Sequence, residues 1–129
     1  MSTAALAPTT IVLGIPGELA TTSMVSVALP FNGTITGAYV AVVGAPAGSA
    51  LTADLKVGSD VAAAFSIAAG GYVDAGTLTA ANCDFVAGDL IHLDVSAVGS
   101  GTKGSNMTVA FTVQEGRAAK SSLAFPFAD

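Results

Sequence analysis

Apolar residues recur at every second position through much of this chain, and that period constrains what it can fold into. In LTADLKV, Leu51, Ala53, Leu55 and Val57 fall on one side, with Thr52, Asp54 and Lys56 opposite. In LIHLDVSAV, Ile91, Leu93, Val95 and Ala97 alternate with His92, Asp94 and Ser96. In NMTVAFTVQ, Met107, Val109, Phe111 and Val113 alternate with Thr108, Ala110, Thr112 and Gln114. In GTITGAYVAVVG the same reading puts Ile35, Tyr39, Ala41 and Val43 on one face. Side chains alternate across an extended strand but return every 3.6 residues on a helix, so these runs predict half-buried strands with one wet face.

Other segments fit the same scheme. Residues 10–15 and 22–30 read as strands, the second with Val25, Val27 and Leu29 inward. Residues 61–67 are alanine-rich enough for a helix. Their bracketing by Gly58-Ser59-Asp60 and Gly70-Gly71 favours a short strand. Residues 78–85 are ambiguous. The breaks are turn chemistry, among them Asn32-Gly33, Ala45-Pro46, Gly88-Asp89 and Gly99-Ser100-Gly101. The glycines of 99–105 read as a hairpin loop between residues 89–98 and 106–115. Strands punctuated this way predict an all-β, antiparallel jelly roll or β-sandwich of about seven or eight strands, without alternating βαβ units. No convincing helix and no internal repeat appears. The chain divides into an N-terminal arm (1–9), a β-domain (10–115) and a C-terminal tail (116–129).

Its 129 residues suffice for one ordinary domain with its own core. The single cysteine, Cys83, excludes an internal disulfide and fits a reducing compartment. Charged residues make up only 10% of the chain and apolar ones 52%. A free monomer ordinarily relies on mixed surface charge for solubility, so this balance predicts surface buried against partners. An alanine-rich monomer is the alternative. The net charge of −5 argues against nucleic acid, whose phosphates need a Lys/Arg face. The N-terminus has no basic n-region and reads as no signal peptide. No apolar run approaches the length of a membrane span.

Chemistry-bearing clusters are sparse. His92 and Asp94 share the wet side of one strand, and Asp89 precedes them at a turn. A histidine with two carboxylates is a possible ligand set for zinc or a harder metal. No second histidine exists, however, and ordinary surface is the simpler reading. GSGTKGS (99–105) resembles a phosphate loop in composition only. Lys103 precedes the last glycine, and a strand follows where a helix is required. No Gly-x-Ser-x-Gly elbow is present. Cys83 has no basic neighbour to lower its pKa. Without tryptophan, only Tyr39 and Tyr72 offer a polar aromatic surface to a sugar. No enzyme activity, cofactor or metal is expected.

The tail, GRAAKSSLAFPFAD, departs from the strand pattern. It carries Arg117 and Lys120, then Leu123, Phe125 and Phe127 around Pro126. Large apolar groups in a terminal segment need a surface to cover, on their own domain or on a neighbour.

From about residue 33 to 115 the sequence resembles a domain common in tailed-bacteriophage virion proteins. Four pieces carry the likeness in order: GTITGAYVAVVGAPAGSALTADLKVG, SIAAGGYVDAG, FVAGDLIHLDVSAVGS and GSNMTVAFTVQ. The resemblance implies a jelly-roll or β-sandwich module of the kind found in capsid decoration (cement) proteins, head fibres and tail attachments, often as homotrimers. It implies a structural role at the virion surface and no catalytic residues. A short chain with no fibre shaft suits a decoration protein that binds the major capsid protein lattice. Arg117, Lys120, Leu123, Phe125 and Phe127 are then the expected contact residues. The runner-up is a tail or head-fibre module that binds a host receptor or carbohydrate. A third possibility is a metal-dependent hydrolase using His92, Asp89 and Asp94.

Overall fold

The alternating runs become strands that pair antiparallel throughout. A computed structural model of the chain describes residues 8–116, and these contain ten strands. They are β1 (Thr9–Glu18), β2 (Met24–Ala28), β3 (Gly33–Gly44), β4 (Leu51–Val57), β5 (Asp60–Ile67), β6 (Val73–Ala75), β7 (Thr77–Leu78), β8 (Asp84–Phe85), β9 (Leu90–Val98) and β10 (Ser105–Glu115). One 3₁₀ turn, Ala80–Asn82, is the only helical element among the described residues. The ambiguous stretch 78–85 is therefore the end of β7, this turn and β8.

The first sheet has the order β1-β10-β3-β6, with β8 also on β3; the second has the order β2-β9-β4-β5-β7. The principal pairings nest: β1 with β10, β2 with β9, β3 with β6, β4 with β5. Only β4 and β5 are consecutive partners, joined by the tight turn at Gly58-Ser59. Every other connection passes from one sheet to the other.

That passage corrects one expectation. The glycine loop after β9 is not a hairpin, because β9 pairs with β2 and β4 while β10 pairs with β1 and β3. The loop instead interlocks with the one after β3. Ala47 N–H donates to the Thr102 carbonyl at 2.9 Å, and Gly101 N–H donates to the Ala47 carbonyl at 2.8 Å. The backbones approach so closely that a side chain on Gly99 would sit 2.5 Å from the Thr102 carbonyl oxygen. Gly99 also has a φ of +102°, a conformation that glycine adopts without steric cost.

Inward side chains of both sheets form one core. Val40, Val109 and Phe111 come from the first sheet, Leu55, Ile67, Ile91 and Leu93 from the second. Burying each of the larger ones contributes about 1.5–3 kcal/mol. No polar or charged residue among the described ones is buried. In β4 and β10 the inward sets are those the alternation predicts, and Val25, Val27 and Leu29 also face the core.

In β3 and β9 the predicted faces are wrong over part of the strand, and a β-bulge is the cause each time. Thr112 pairs with Gly37 and Val113 with Ile35, which leaves Thr36 as an extra residue. Parity switches there, so Ile35 is followed inward by Ala38, Val40 and Val42, while Tyr39, Ala41 and Val43 turn outward. In β9, Thr52 pairs with Ala97 and Ala53 with Val95, leaving Ser96 unpaired. Val98, not Ala97, consequently packs on the core. One inserted residue reverses every later side chain of a strand, because the side-chain period is two.

Candidate interaction surface

The residues with the richest chemistry form a local brace. His92 and Asp94 lie on β9, with Lys56 on the neighbouring β4. His92 Nδ1 is 2.6 Å from Asp94 Oδ1, and Nε2 is 2.7 Å from the Gly58 carbonyl oxygen. Both partners are acceptors, so a ring protonated on both nitrogens donates to both at once. Lys56 Nζ lies 3.3 Å from the other Asp94 oxygen. Burial alone would raise the Asp94 pKa. Hydrogen bonds from His92 and Lys56, reinforced by their charge, outweigh it and hold the carboxyl below its ordinary value. The brace ties β9 to β4 and to the β4–β5 turn.

Asp89 does not join it. Its Oδ2 accepts from the Val86 N–H at 2.9 Å and closes the turn before β9. No group of three His, Cys, Asp or Glu side chains able to hold a metal occurs among the described residues. Cys83 is buried, and its thiol donates to the Thr79 carbonyl at 3.3 Å. Desolvation, followed by the charge of Asp84, pushes that thiol's pKa up, away from a reactive thiolate. Lys103 is exposed on the crossing loop.

The outward side of the first sheet is different in kind. Register places Thr10, Thr112 and Gly37 in one row across β1, β10 and β3. The next row is Val12, Ala110, Tyr39 and Ala75; the third is Gly14, Thr108, Ala41 and Val73. None of these carries a charge. Four large side chains on this face are largely uncovered: Val12 at 60%, Tyr39 at 60%, Val73 at 62% and Val43 at 75% exposure. Beside Val43, a shallow open depression of about 340 Å³ is lined by Gly14, Ile15, Pro16, Asn106, Met107 and Thr108. Charges gather only at the margins, as Glu18 beyond one end and Asp84 with Glu115 at the other.

A contiguous uncharged face of this kind marks a contact surface more often than bare solvent-facing sheet. Sequence reasoning missed it by placing Tyr39, Ala41 and Val43 on the same face as Ile35. The signal was present in AYVAVVG, which is apolar at both parities. A strand apolar on both sides is one whose two faces are both meant to be covered. The contact residues expected from sequence, Arg117, Lys120, Leu123, Phe125 and Phe127, lie outside the described residues.

No family model matches the chain, and no curated protein matches it.

Proposed function

We propose that this protein is a structural component of a tailed-bacteriophage virion, a small decoration protein that binds the major capsid protein lattice and stabilises the head. The observation that carries the reading is the uncharged outer face of the first sheet, with Val12, Tyr39, Val43 and Val73 uncovered. Such a face suits function by protein contact rather than by chemistry. The strand order supports a jelly roll: the nested antiparallel pairings of β1-β10-β3-β6 and β2-β9-β4-β5-β7 are compatible with that architecture, which viral capsids use. The ordered likeness over residues 33–115 points the same way.

In this reading copies assemble as a homotrimer on the capsid surface, without cofactor or nucleic acid. The tail anchors each copy: Leu123, Phe125 and Phe127 enter an apolar seat on the capsid subunit, and Arg117 and Lys120 meet acidic surface. An aromatic anchor at an interface hot spot contributes ~2 kcal/mol or more, about a 30-fold change in affinity. Co-sedimentation of the purified full chain with heads that lack it tests this. The chain should pellet with heads and raise their resistance to heat. Phe125→Ser with Phe127→Ser should weaken binding by at least that factor. Equal binding by the variant would remove the tail from the reading, and no binding by the full chain would remove the reading.

One observation favours a second reading. Tyr39 and Tyr72 are both largely exposed, and aromatic rings with a polar tip can serve a carbohydrate-binding platform. A tail or head-fibre module that recognises a host glycan would use them. Glycan binding abolished by Tyr39→Ala, with no affinity for heads, would establish it instead.

A further inference from the structure

We propose that two copies of this chain join edge to edge through β1, antiparallel about a two-fold axis at Val12. The contact belongs to the free protein and does not depend on the capsid reading. It uses the edge of the first sheet and leaves the outer face to another partner.

The backbone decides what kind of partner fits. Among the described residues β1 pairs with β10 alone. On its other side every second residue presents an N–H and a C=O in the spacing of a strand ladder. Groups in that spacing match a second extended strand.

Edge strands are ordinarily protected by charge, proline or a bulge. β1 has these only at its ends. Pro8 precedes it, and Pro16, the bulge between Ile15 and Glu18, and the charge of Glu18 close it. Between them Thr9 to Ile15 carries neither charge nor proline. The strands at the other sheet edges are shorter, with five residues in β2, three in β6 and two in β7.

Symmetry makes that strand a second copy of β1. Val12 is the midpoint between Pro8 and Pro16. A two-fold axis through it, normal to the sheet, pairs Thr9 with Ile15, Thr10 with Gly14, Ile11 with Leu13 and Val12 with itself. Each proline, which has no N–H to give, then falls just outside the shared ladder. The exposed set Thr10, Val12 and Gly14 maps onto itself, and so does the inward set Thr9, Ile11, Leu13 and Ile15. The seven paired residues make about 24 Å of shared edge.

The core is also unfinished on this side. Ile11, Leu13 and Ile15 of β1, with Val25 and Val27 of the bordering edge strand β2, pack on the core yet stay only partly buried. Val40, Leu55, Leu93, Val109 and Phe111 on the inner strands are fully buried. A second copy set against β1 continues the sheet and covers the open apolar margin with its equivalent.

Sedimentation of the full-length protein tests the contact. The native chain should be a dimer. Val12 is 60% exposed, so Val12→Lys leaves the fold intact but sets like charges opposite each other at the axis. That variant should sediment as a monomer at the concentration where the native chain is dimeric, with an unchanged far-ultraviolet circular dichroism spectrum. Under oxidation Val12→Cys should give a disulfide-linked dimer, because opposed Cα atoms of an antiparallel ladder lie about 4.5–5.5 Å apart. Thr10→Cys should not, because its two copies stand about 14 Å apart along the strands. Cys83 is buried and does not compete. A monomeric native chain would overturn the proposal, as would equal cross-linking at positions 10 and 12. A homotrimer unaffected by Val12→Lys would overturn it too, while leaving the capsid reading standing.

Discussion

Replacing Gly99 by alanine should destabilise the protein far more than replacing Gly58, although both glycines have positive φ. Gly58 sits at +63° in the β4–β5 turn, and a Cβ added there meets nothing within 4 Å. Its substitution costs only the left-handed conformation, about 1–2 kcal/mol. Gly99, at +102°, carries that cost as well. Its Cβ would also lie 2.5 Å from the Thr102 carbonyl oxygen, 3.0 Å from Pro46 Cβ and 3.3 Å from Ala47 N. Two of these three are backbone atoms, so no rotamer change relieves them. Overpacking of this kind costs a further ~1–3 kcal/mol. Relief by moving the loops apart would break the Ala47–Thr102 bridge and the Gly101-to-Ala47 bond, each contributing about 0.5–1.5 kcal/mol. Gly99→Ala should therefore lose about 2–5 kcal/mol and Gly58→Ala about 1–2. Urea unfolding followed by circular dichroism measures both, with the midpoint shift read at a common slope. Equal losses would mean that the 45–50 and 99–104 loops do not interlock, and the account of the crossing connection would fail.

Deleting Thr36 should also be costly. Without the extra residue β3 must turn out either Ile35 or Val40 and Val42, all buried, so at least ~1.5–3 kcal/mol is lost; the same unfolding assay reads it. Asp94 has a lowered folded pKa, so its pairing with His92 and Lys56 stabilises fully above the unfolded value of about 3.9 and is lost as pH falls through the folded one. The stability gap between the native chain and Asp94→Asn should accordingly narrow steadily as pH falls below about 4, and a gap that stays constant there would contradict the brace. Cys83, buried and with its thiol pKa raised, should resist a thiol reagent in the native protein and react fully once urea unfolds it.

Alternation made the strands legible where nothing interrupted it. Leu51 to Val57 and Met107 to Val113 keep one parity from end to end, and their inward faces can be read directly. It failed at Thr36 and Ser96 because a bulge leaves no mark in composition. A threonine or serine at a strand position looks the same whether it is paired or inserted. The glycine loop at 99–104 was misread for a related reason: glycines permit a hairpin and a sheet-to-sheet crossing equally, and only the partners of β9 and β10 decide. Within the candidate interaction surface, the scarcity of charge left an uncharged face to be expected but not which one. Locating it required knowing that parity reverses after Thr36, which carries Tyr39 and Val43 to the outside. His92, Asp89 and Asp94, adjacent in sequence, proved separate in role. Asp89 closes a turn while the other two brace a sheet.

Cryo-electron microscopy of phage particles assembled in the presence of this protein tests the proposed virion role most directly. The account predicts two-sheet density repeated over the outer capsid lattice, with the face bearing Val12, Tyr39 and Val43 turned toward protein and covered. Density confined to the tail tip, or a lattice-bound copy whose first sheet faces bare solvent, would contradict it.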